Sequence, residues 1–184
     1  MAISTINQAG LTAPLTLTSP VLTTPNLGTP SAINLSNATA LPKTALPTGC
    51  IVQVVMGTAT AGFSTTSTSY VATNLTATIT PTSATSKILI FFTGPSYSLS
   101  VNYVYTTVYR NGATNLGFGG AAGLGITGNN PGTYDTSVTG MYLDSPATTS
   151  ATTYTVYLKT SASSAYFGDN SGTGQVMILQ EVVA

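Results

Sequence analysis

Residues 49–184 carry the hydrophobic pattern of short β-strands. Apolar, β-branched and aromatic side chains recur in short runs that Gly, Asn, Asp, Ser and Pro separate, as expected for strands joined by turns. No window shows the 3.6-residue periodicity of a helix. The segments predicted as strands are 50–56, 69–81, 86–94, 97–112, 136–144, 152–160, 164–168 and 174–183.

Two neighbouring segments have contrasting patterns. The segment 86–94, SKILIFFTG, is almost continuously apolar, which is typical of a strand that is covered on both faces. The segment 97–112 alternates instead, and its sequence predicts one strand with these side chains on one face: Tyr97, Leu99, Val101, Tyr103 and Tyr105.

Turn signals divide the pattern further. Asn111-Gly112 is a strong hairpin signal, and Asn74 is a turn-prone residue before the alternation of Leu75, Ala77 and Ile79. We count about eight to ten strands, a density typical of an all-β fold. The sequence therefore predicts a jelly-roll-like β-sandwich at 49–184.

Residues 1–48 have a different composition and are predicted to form an extended arm. They contain six of the ten prolines, and proline suits neither a helix interior nor a central strand. A flexible linker and an extended segment lying on another surface are the two interpretations. We favour the second, an anchor or stalk, because a linker does not need regularly placed aliphatic side chains. The anchoring residues are Leu15, Leu17, Val21, Leu22, Leu27, Ile33 and Leu35.

The charge content narrows the classes of partner. Four basic and four acidic residues give a net charge of zero, which argues against nucleic acid, whose binding rests on Lys and Arg. No run reaches the roughly 18 apolar residues of a spanning helix, and the first residues lack the pattern of a signal peptide. A neutral surface rich in Thr, Ser and Asn suits a protein that functions in an assembled state.

The sequence offers little material for catalysis or metal binding. There is no His, so a Ser-His-Asp arrangement is excluded, and the acids at 135, 144, 169 and 181 are scattered. We predict no enzyme activity, no cofactor and no zinc site. Cys50 is predicted to be a buried apolar residue rather than a nucleophile.

Three segments are candidates for weaker interactions. The Gly-rich stretch 117–132 is predicted to be a long surface loop, and its candidate receptor-binding residues are Phe118, Leu124, Ile126, Asn129 and Asn130. The stretch 168–174 could bind calcium through Asp169 and Asn170, although a plain turn is the favoured interpretation. Tyr97, Tyr103, Tyr105 and Tyr109 could stack on sugars, but a core or subunit contact explains them more simply.

Several stretches resemble virion proteins of tailed bacteriophages. LTSPVLTTPNLGTPSAINLSNATALP (17–42) resembles the Thr-Pro repeats ahead of trimeric domains in fibre and decoration proteins. SYVATNLTATITPTSATSKILI (69–90), VYRNG (108–112), LDSPATTSATTYTVYLKT (143–160) and MILQEV (177–182) resemble their C-terminal β-sandwich. The chain departs from long fibres because only about ten residues precede the repeats, so we expect no sizeable adaptor domain.

The resemblance implies a homotrimeric jelly-roll knob, C1q-like in outline, joined to an anchoring arm. The expected function is that of a structural virion protein, a capsid decoration, cement or head-fibre protein on the virion surface. Its expected partners are two further copies of the chain and the major capsid protein or another virion protein, with neither nucleic acid binding nor membrane insertion. The alternative is a tail-fibre tip that binds a host-surface receptor such as a glycan.

Overall fold

The computed structural model describes residues 46–98, 100, 102–117, 123–129, 136–168 and 174–184. Within them the regular elements are strands, and no described helix could span a membrane. The strands are β1 (Ile51–Ala59), β2 (Phe63–Thr65), β3 (Val71–Ile79), β4 (Lys87–Tyr97), β5 (Asn102–Arg110), β6 (Thr114–Asn115), β7 (Gly125–Asn129), β8 (Thr136–Asp144), β9 (Thr152–Thr160), β10 (Ala165–Phe167) and β11 (Gln175–Val182).

The strands form two antiparallel sheets. Sheet I contains β1, β11, β4 and β8 side by side, and β10 pairs with both the end of β4 and β2. Sheet II contains β3, β9 and β5, with β6 and β7 on the far edge of β5. The prediction of an all-β fold is confirmed, and the two sheets form a β-sandwich.

The core lies between the sheets because every second side chain of each long strand points inward. In β9, Tyr154, Val156 and Leu158 are fully buried while the residues between them are half-buried. In β11, Met177 and Leu179 meet them from sheet I. The ring of Phe92 lies over Gly140 of β8, where a Cβ would overlap it. Only glycine therefore allows β8 to pass this ring without a shift.

Most of the predicted strands coincide with observed ones. The segments 136–144 and 152–160 match β8 and β9 end to end, and 174–183 differs from β11 by one residue at each end. The short strands β2, β6 and β7 were not predicted. The hairpin at Asn111-Gly112 is confirmed, since both residues have positive φ, 50° and 69°, as the two-residue turn between strands requires.

The prediction of one strand over 97–112 is wrong. Strand β4 continues to Tyr97 in sheet I, and the chain then crosses to sheet II, where β5 begins at Asn102. Tyr97 therefore does not share a face with Tyr103 and Tyr105. Leu99 and Val101 lie outside the described residues.

Asn102 holds this crossing in place through its buried side-chain amide. Its Nδ2 donates to the hydroxyls of Thr160, at 2.5 Å, and Ser98, at 3.1 Å. Its Oδ1 accepts from the backbone and hydroxyl of Ser161, at 3.1 and 2.7 Å. Since a buried amide without partners would be destabilising, these contacts fix the corner between the sheets.

Asn74 lies within a strand and does not end one. The pairing of β3 with β9 shifts between Ala72 and Thr76, which marks a β-bulge. The hydroxyl of Thr73 donates to the carbonyl of Val156 at 2.8 Å and accepts from the amide of Leu75 at 3.2 Å. A side chain thus satisfies backbone groups that the bulge leaves without ladder partners.

The described chain begins beside its own C-terminus. The amide of Gly49 donates to the carbonyl of Val183 at 2.8 Å. The amide of Val183 donates to the carbonyl of Cys50 at 2.9 Å. Cys50 is half-buried with a free thiol, so its predicted burial is only partial. The arm is predicted over 1–48, of which 1–45 lie outside the described residues.

Candidate assembly surface

The outer face of sheet I is apolar across all four of its long strands. We call it the apolar face and define it by its aliphatic, Met and Phe side chains: Val54 and Met56 of β1, Val176 and Ile178 of β11, Leu89 and Phe91 of β4, and Met141 and Leu143 of β8. In each strand these residues alternate with residues that point into the core, as the two-residue period of a strand dictates.

Strand register aligns these side chains in rows across the sheet. Met56 pairs with Ile178, Ile178 with Phe91, and Phe91 with Met141. One row of four large apolar residues therefore crosses the whole sheet. The next row contains Val54, Gln180, Leu89 and Leu143, and the row on the other side contains Thr58, Val176, Thr93 and Thr139.

The apolar face is open to solvent in the single chain, most of all at its edges. The exposed fractions of Met56 and Met141, on the two outer strands, are 65% and 59%. The central residues Phe91 and Ile178 are half-buried and border a shallow hollow of about 320 Å³. A soluble monomer rarely exposes so continuous an apolar surface, so this face has the character of a protein contact surface.

The three rows of the apolar face contain no charged side chain. Their polar members are threonines and Gln180, and the Thr139 hydroxyl donates to that of Thr93 at 3.1 Å. Lys87 lies at the border of the face, where it pairs with Val182. Depletion of charge over an apolar centre is typical of the core of a protein interface.

The outer face of sheet II has a different composition. One part is a threonine ladder, in which the hydroxyls of Thr76 and Thr155 are 3.0 Å apart and those of Thr78 and Thr153 are 2.8 Å apart. These hydroxyls satisfy each other across the strands, so this part of the face does not need a partner.

The other part of this face is aromatic. We call it the tyrosine cluster and define it by Tyr70, Tyr103, Tyr105, Tyr109, Tyr157 and Lys159. Tyr109 and Tyr157 stack at a centroid distance of 4.1 Å, and Tyr70 meets Tyr109 edge-on at 6.2 Å. Burial, followed by the neighbouring Tyr109 and Tyr105, raises the pKa of Tyr70 to about 12, so its hydroxyl stays protonated at neutral pH.

The two acids of the described residues, Asp144 and Glu181, are buried and hydrogen-bonded within the fold. Arg110 of sheet II donates through Nη1 to both carboxylate oxygens of Asp144 in sheet I, at 2.8 and 2.9 Å. The Tyr154 hydroxyl donates to the same carboxylate at 2.7 Å. Burial, and then this bond to Asp144, raises the pKa of Tyr154, so the phenol remains a donor and this triad ties the sheets together.

Glu181 is a second buried acid with several partners. Its carboxylate accepts from the amide and hydroxyl of Thr82, at 2.7 and 2.6 Å, and from Nε2 of Gln53 at 3.0 Å. Burial acts to raise the pKa of Glu181, but hydrogen bonds from Thr82, Ser86 and Gln53 outweigh it and lower the pKa below its usual 4.5. Glu181 therefore stays ionised and fastens the β3–β4 loop to sheet I.

The candidate receptor-binding residues do not form one loop. Within 117–132, residues Gly125–Asn129 form strand β7, which pairs with the free edge of β5 and satisfies its backbone groups. Leu124 packs against the core, whereas Ile126 is exposed on β7. Phe118, Asn130 and the side chain of Asn129 lie outside the described residues.

The remaining predicted sites are divided in the same way. Tyr97 stacks on Tyr166 at 4.5 Å near the end of sheet I, away from the tyrosine cluster. Asp169 and Asn170 lie outside the described residues, as do the anchoring residues Leu15, Leu17, Val21, Leu22, Leu27, Ile33 and Leu35. No group of three metal-ligating side chains is found in the part of the chain that the structure describes.

Sequence reasoning missed the apolar face as a unit, although the signal was present. Strands β8 and β11 have apolar residues at both parities, Val138 with Met141 and Leu143, and Met177 with Val176 and Ile178. Such strands need cover on both faces. Comparison with known proteins does not add a name to this surface: no protein-family model matches the sequence, and no curated protein shows significant similarity to it.

Proposed function

We propose that this protein is a structural virion subunit that assembles through its apolar face into a homotrimer. In this proposal the sandwich forms a knob, and residues 1–48 anchor it to the capsid as a decoration, cement or head-fibre protein. The observation that carries the self-assembly is the row of Met56, Ile178, Phe91 and Met141 across sheet I. The virion setting rests on the resemblance of the arm and sandwich to phage proteins.

The strand order supports a jelly-roll knob. The eight principal strands divide into β1-β11-β4-β8 and β3-β9-β5-β7, and the first strand pairs with the last. This order supports the proposal of an eight-stranded jelly roll with two Greek keys. It also brings the long strands β11 and β4 to the centre of sheet I, where they contribute Ile178 and Phe91 to the apolar row.

Further copies of the same chain are the partner that fits the apolar face best. A charged face would repel its own copy around a symmetry axis, and these rows are uncharged. The hollow at the centre and the prominent Met56 and Met141 at the edges offer a recess and two projections on one surface. Closed symmetric assemblies bury such complementary features without leaving an open end.

The assembly can be tested with charges placed on each face. Met56→Lys with Met141→Lys adds two charges to the apolar face, and both sites are more than half exposed in the single chain, so the sandwich should still fold. The matched control, Ala72→Lys with Thr78→Lys, adds two charges at exposed sites on the outer face of sheet II.

Light scattering after size exclusion reads out the result. We expect the natural chain and the sheet II control to have about three times the mass of the 18.6-kDa chain, and the Met56→Lys, Met141→Lys variant to be monomeric. A natural chain that is monomeric at micromolar concentration, or an apolar-face variant that still forms trimers, would contradict the proposed interface.

The virion role needs its own experiment. We expect quantitative mass spectrometry of purified particles to find this chain in a simple ratio to the major capsid protein. Deletion of residues 1–40 should abolish attachment to particles while the trimer persists in solution. A count of a few to a few tens of copies would favour the tail-fibre alternative, and absence from particles would exclude both placements.

The proposed role requires adhesion and no chemistry. Asp144 and Glu181 are both engaged by buried partners, and the acids at 135 and 169 lie outside the described residues. Removal of these two buried acids would therefore alter stability rather than a reaction, which is the behaviour expected of a structural subunit.

A further inference from the structure

The tyrosine cluster gives sheet II a second surface that the proposed assembly does not use. Strand alternation points Tyr103 and Tyr105 of β5 outward, and register places Tyr105 between Lys159 of β9 and Ile126 of β7. The apolar face lies on the opposite side of the sandwich. A ligand on the tyrosine cluster and a neighbouring copy on the apolar face would therefore not compete.

Tyr103, near the start of β5, presents an aromatic surface to solvent. It is 55% exposed, and its partner across the strand is Gly128. A Cβ at Gly128 would be 3.2 Å from Cε1 of the ring, so the ring packs onto a residue that has no side chain to cover it. The ring of Tyr105 follows at a centroid distance of 6.2 Å and an angle of 35°. Together the two rings form a shallow aromatic platform.

A positive charge lies over one ring of this platform, that of Tyr105. Nζ of Lys159 is 5.1 Å from the centroid of Tyr105 and 4.7 Å from that of Tyr70, which holds the ammonium group by cation–π attraction. Among the described residues no carboxylate forms an ion pair with it, because Asp144 bonds to Arg110 and Tyr154, and Glu181 bonds to Thr82 and Gln53. The ammonium group thus retains donors for an anionic ligand.

We propose that the tyrosine cluster binds an acidic sugar of the hexuronate class. The apolar face of the pyranose ring stacks on Tyr103 and Tyr105, and its carboxylate accepts hydrogen bonds from Lys159. The electron-rich face of an aromatic ring attracts the C–H groups on the apolar face of a sugar. The single cation of Lys159 matches the single carboxylate of a uronide. A polyanion such as nucleic acid would need several cations, and the tyrosine cluster has one.

The test compares matched acidic and neutral sugars on the full-length chain. The probes are methyl glucuronide against methyl glucoside and methyl galacturonide against methyl galactoside, at millimolar concentration. Saturation-transfer NMR measures which sugar protons contact the protein and yields a dissociation constant. We expect at least one uronide to bind with saturation on its ring protons, and to bind more tightly than its neutral counterpart. Added salt should weaken the binding of the uronide but not that of the neutral sugar.

Variants separate the ring contact from the charge contact. Tyr103→Ala should weaken uronide binding about tenfold, the loss expected for one stacking contact, whereas Tyr103→Phe should retain it. Lys159→Gln should bring the uronide to the affinity of the neutral sugar. Thr78→Ala, on the threonine ladder of the same face, should leave binding unchanged. Thermal melts confirm that each variant is folded, and the exposure of Tyr103 makes this the expected outcome for Tyr103→Ala.

Several outcomes would overturn the proposal. They are the absence of uronide binding, equal affinity of the natural chain for acidic and neutral sugars, and uronide binding that Tyr103→Ala leaves intact. Binding of acetate, which has the same single carboxylate, as tightly as a methyl uronide would also overturn it, because the tyrosine cluster would then recognise acidity without a sugar ring. The comparison of acidic and neutral sugars on the natural chain decides the matter even if a variant fails to fold.

Discussion

The two outer faces of the sandwich share the same strand geometry but differ in how their side chains are satisfied. On sheet II, threonine hydroxyls pair with each other and tyrosine rings stack, so the face is complete within one chain. On sheet I, Met56, Phe91 and Met141 have neighbours along their row, and Met56 and Met141 remain more than half exposed. The alternation of buried and exposed residues along a strand therefore does not show by itself how an outer face is satisfied. The threonine ladder is satisfied within one chain, whereas the apolar face would be covered only in the proposed assembly.

The largest expected effect is on the concentration dependence of unfolding. If the apolar face is covered by other copies, folding and assembly are linked, and the melting temperature rises with protein concentration. We expect this rise for the natural chain and for Ala72→Lys with Thr78→Lys, and not for Met56→Lys with Met141→Lys. Calorimetry over a hundredfold range of concentration measures it. Because unfolding one trimer releases three chains, that range corresponds to about 5.4 kcal/mol per mole of trimer in mass-action terms. A melting temperature that is independent of concentration in the natural chain would remove the contrast between the faces.

The second effect tests what the two faces have in common, the attachment of one sheet to the other. Asp144→Ala leaves Arg110 charged at the sheet boundary and Tyr154 without its acceptor. We expect a loss of about 3–5 kcal/mol in the free energy of unfolding, as for other broken buried pairs. Urea unfolding measures the loss. Asp144→Asn, which keeps the shape and an acceptor, serves as the milder control. A loss under about 1 kcal/mol would mean that the pair behaves as a surface ion pair.

The third effect concerns Glu181 and is confined to acid. Because the pKa of Glu181 in the folded chain lies below its usual 4.5, its contribution to stability is fully present above that value. This contribution is lost as the pH falls through the lower, folded-state pKa. Urea midpoints from about pH 6 to about pH 3 should therefore fall more steeply for the natural chain than for Glu181→Gln. Asp144 is common to both proteins, so the difference isolates Glu181, and parallel curves would contradict the assignment.

The smallest effect probes the threonine ladder. The hydroxyls of Thr78 and Thr153 face each other at 2.8 Å on an exposed surface. A double-mutant cycle with Thr78→Ala and Thr153→Ala should give a coupling energy of about 0.2–1 kcal/mol. The exposed Thr114 of β6, replaced by Ala, provides a control outside the ladder. A coupling near zero would show that these hydroxyls prefer water to each other. The side-chain contacts that stabilise the outer face of sheet II would then be those of its tyrosines.

The sequence predicted most of the long strands because alternation is a local signal. Strands β8 and β9 are bounded by turn residues, so their limits could be read directly, and β9 alternates without interruption. The short strands β2, β6 and β7 escaped because two to five residues are too few to show a period. They form because the edges of β10 and β5 need hydrogen-bond partners, a requirement that comes from the tertiary fold.

The crossing between β4 and β5 shows why alternation can mislead. Large side chains at Tyr97, Tyr103 and Tyr105 continue the same parity through the corner, but the strand changes sheets between Tyr97 and Asn102. Parity along a sequence defines a face only within one sheet. The signal for the corner was Asn102, a polar residue at a core position, whose hydrogen bonds to Thr160 and Ser161 come from a strand end and turn more than 50 residues away.

Only part of the apolar face could be predicted from the sequence. The run 86–94 was predicted to be covered on both faces, and its inward residues Ile88, Ile90 and Phe92 are indeed buried by the sandwich. That Leu89 and Phe91 stand in line with Met56 and Met141 depends on register between strands that are distant in sequence. Register is set by turns and by the core as a whole, so the surface became visible only in the structure.

The hydrogen bonds between Gly49 and Val183 have a practical consequence for protein engineering. They hold the segment before β1 against the segment after β11, so the two ends of the sandwich lie side by side. A short linker from Ala184 to Leu46 should permit circular permutation, with new ends opened at the exposed Asn111-Gly112 turn. Such a permutant would keep both outer faces and move the chain ends away from the corner where Leu46 lies. A fluorophore or affinity tag placed at the new ends would report on either face without crowding that corner.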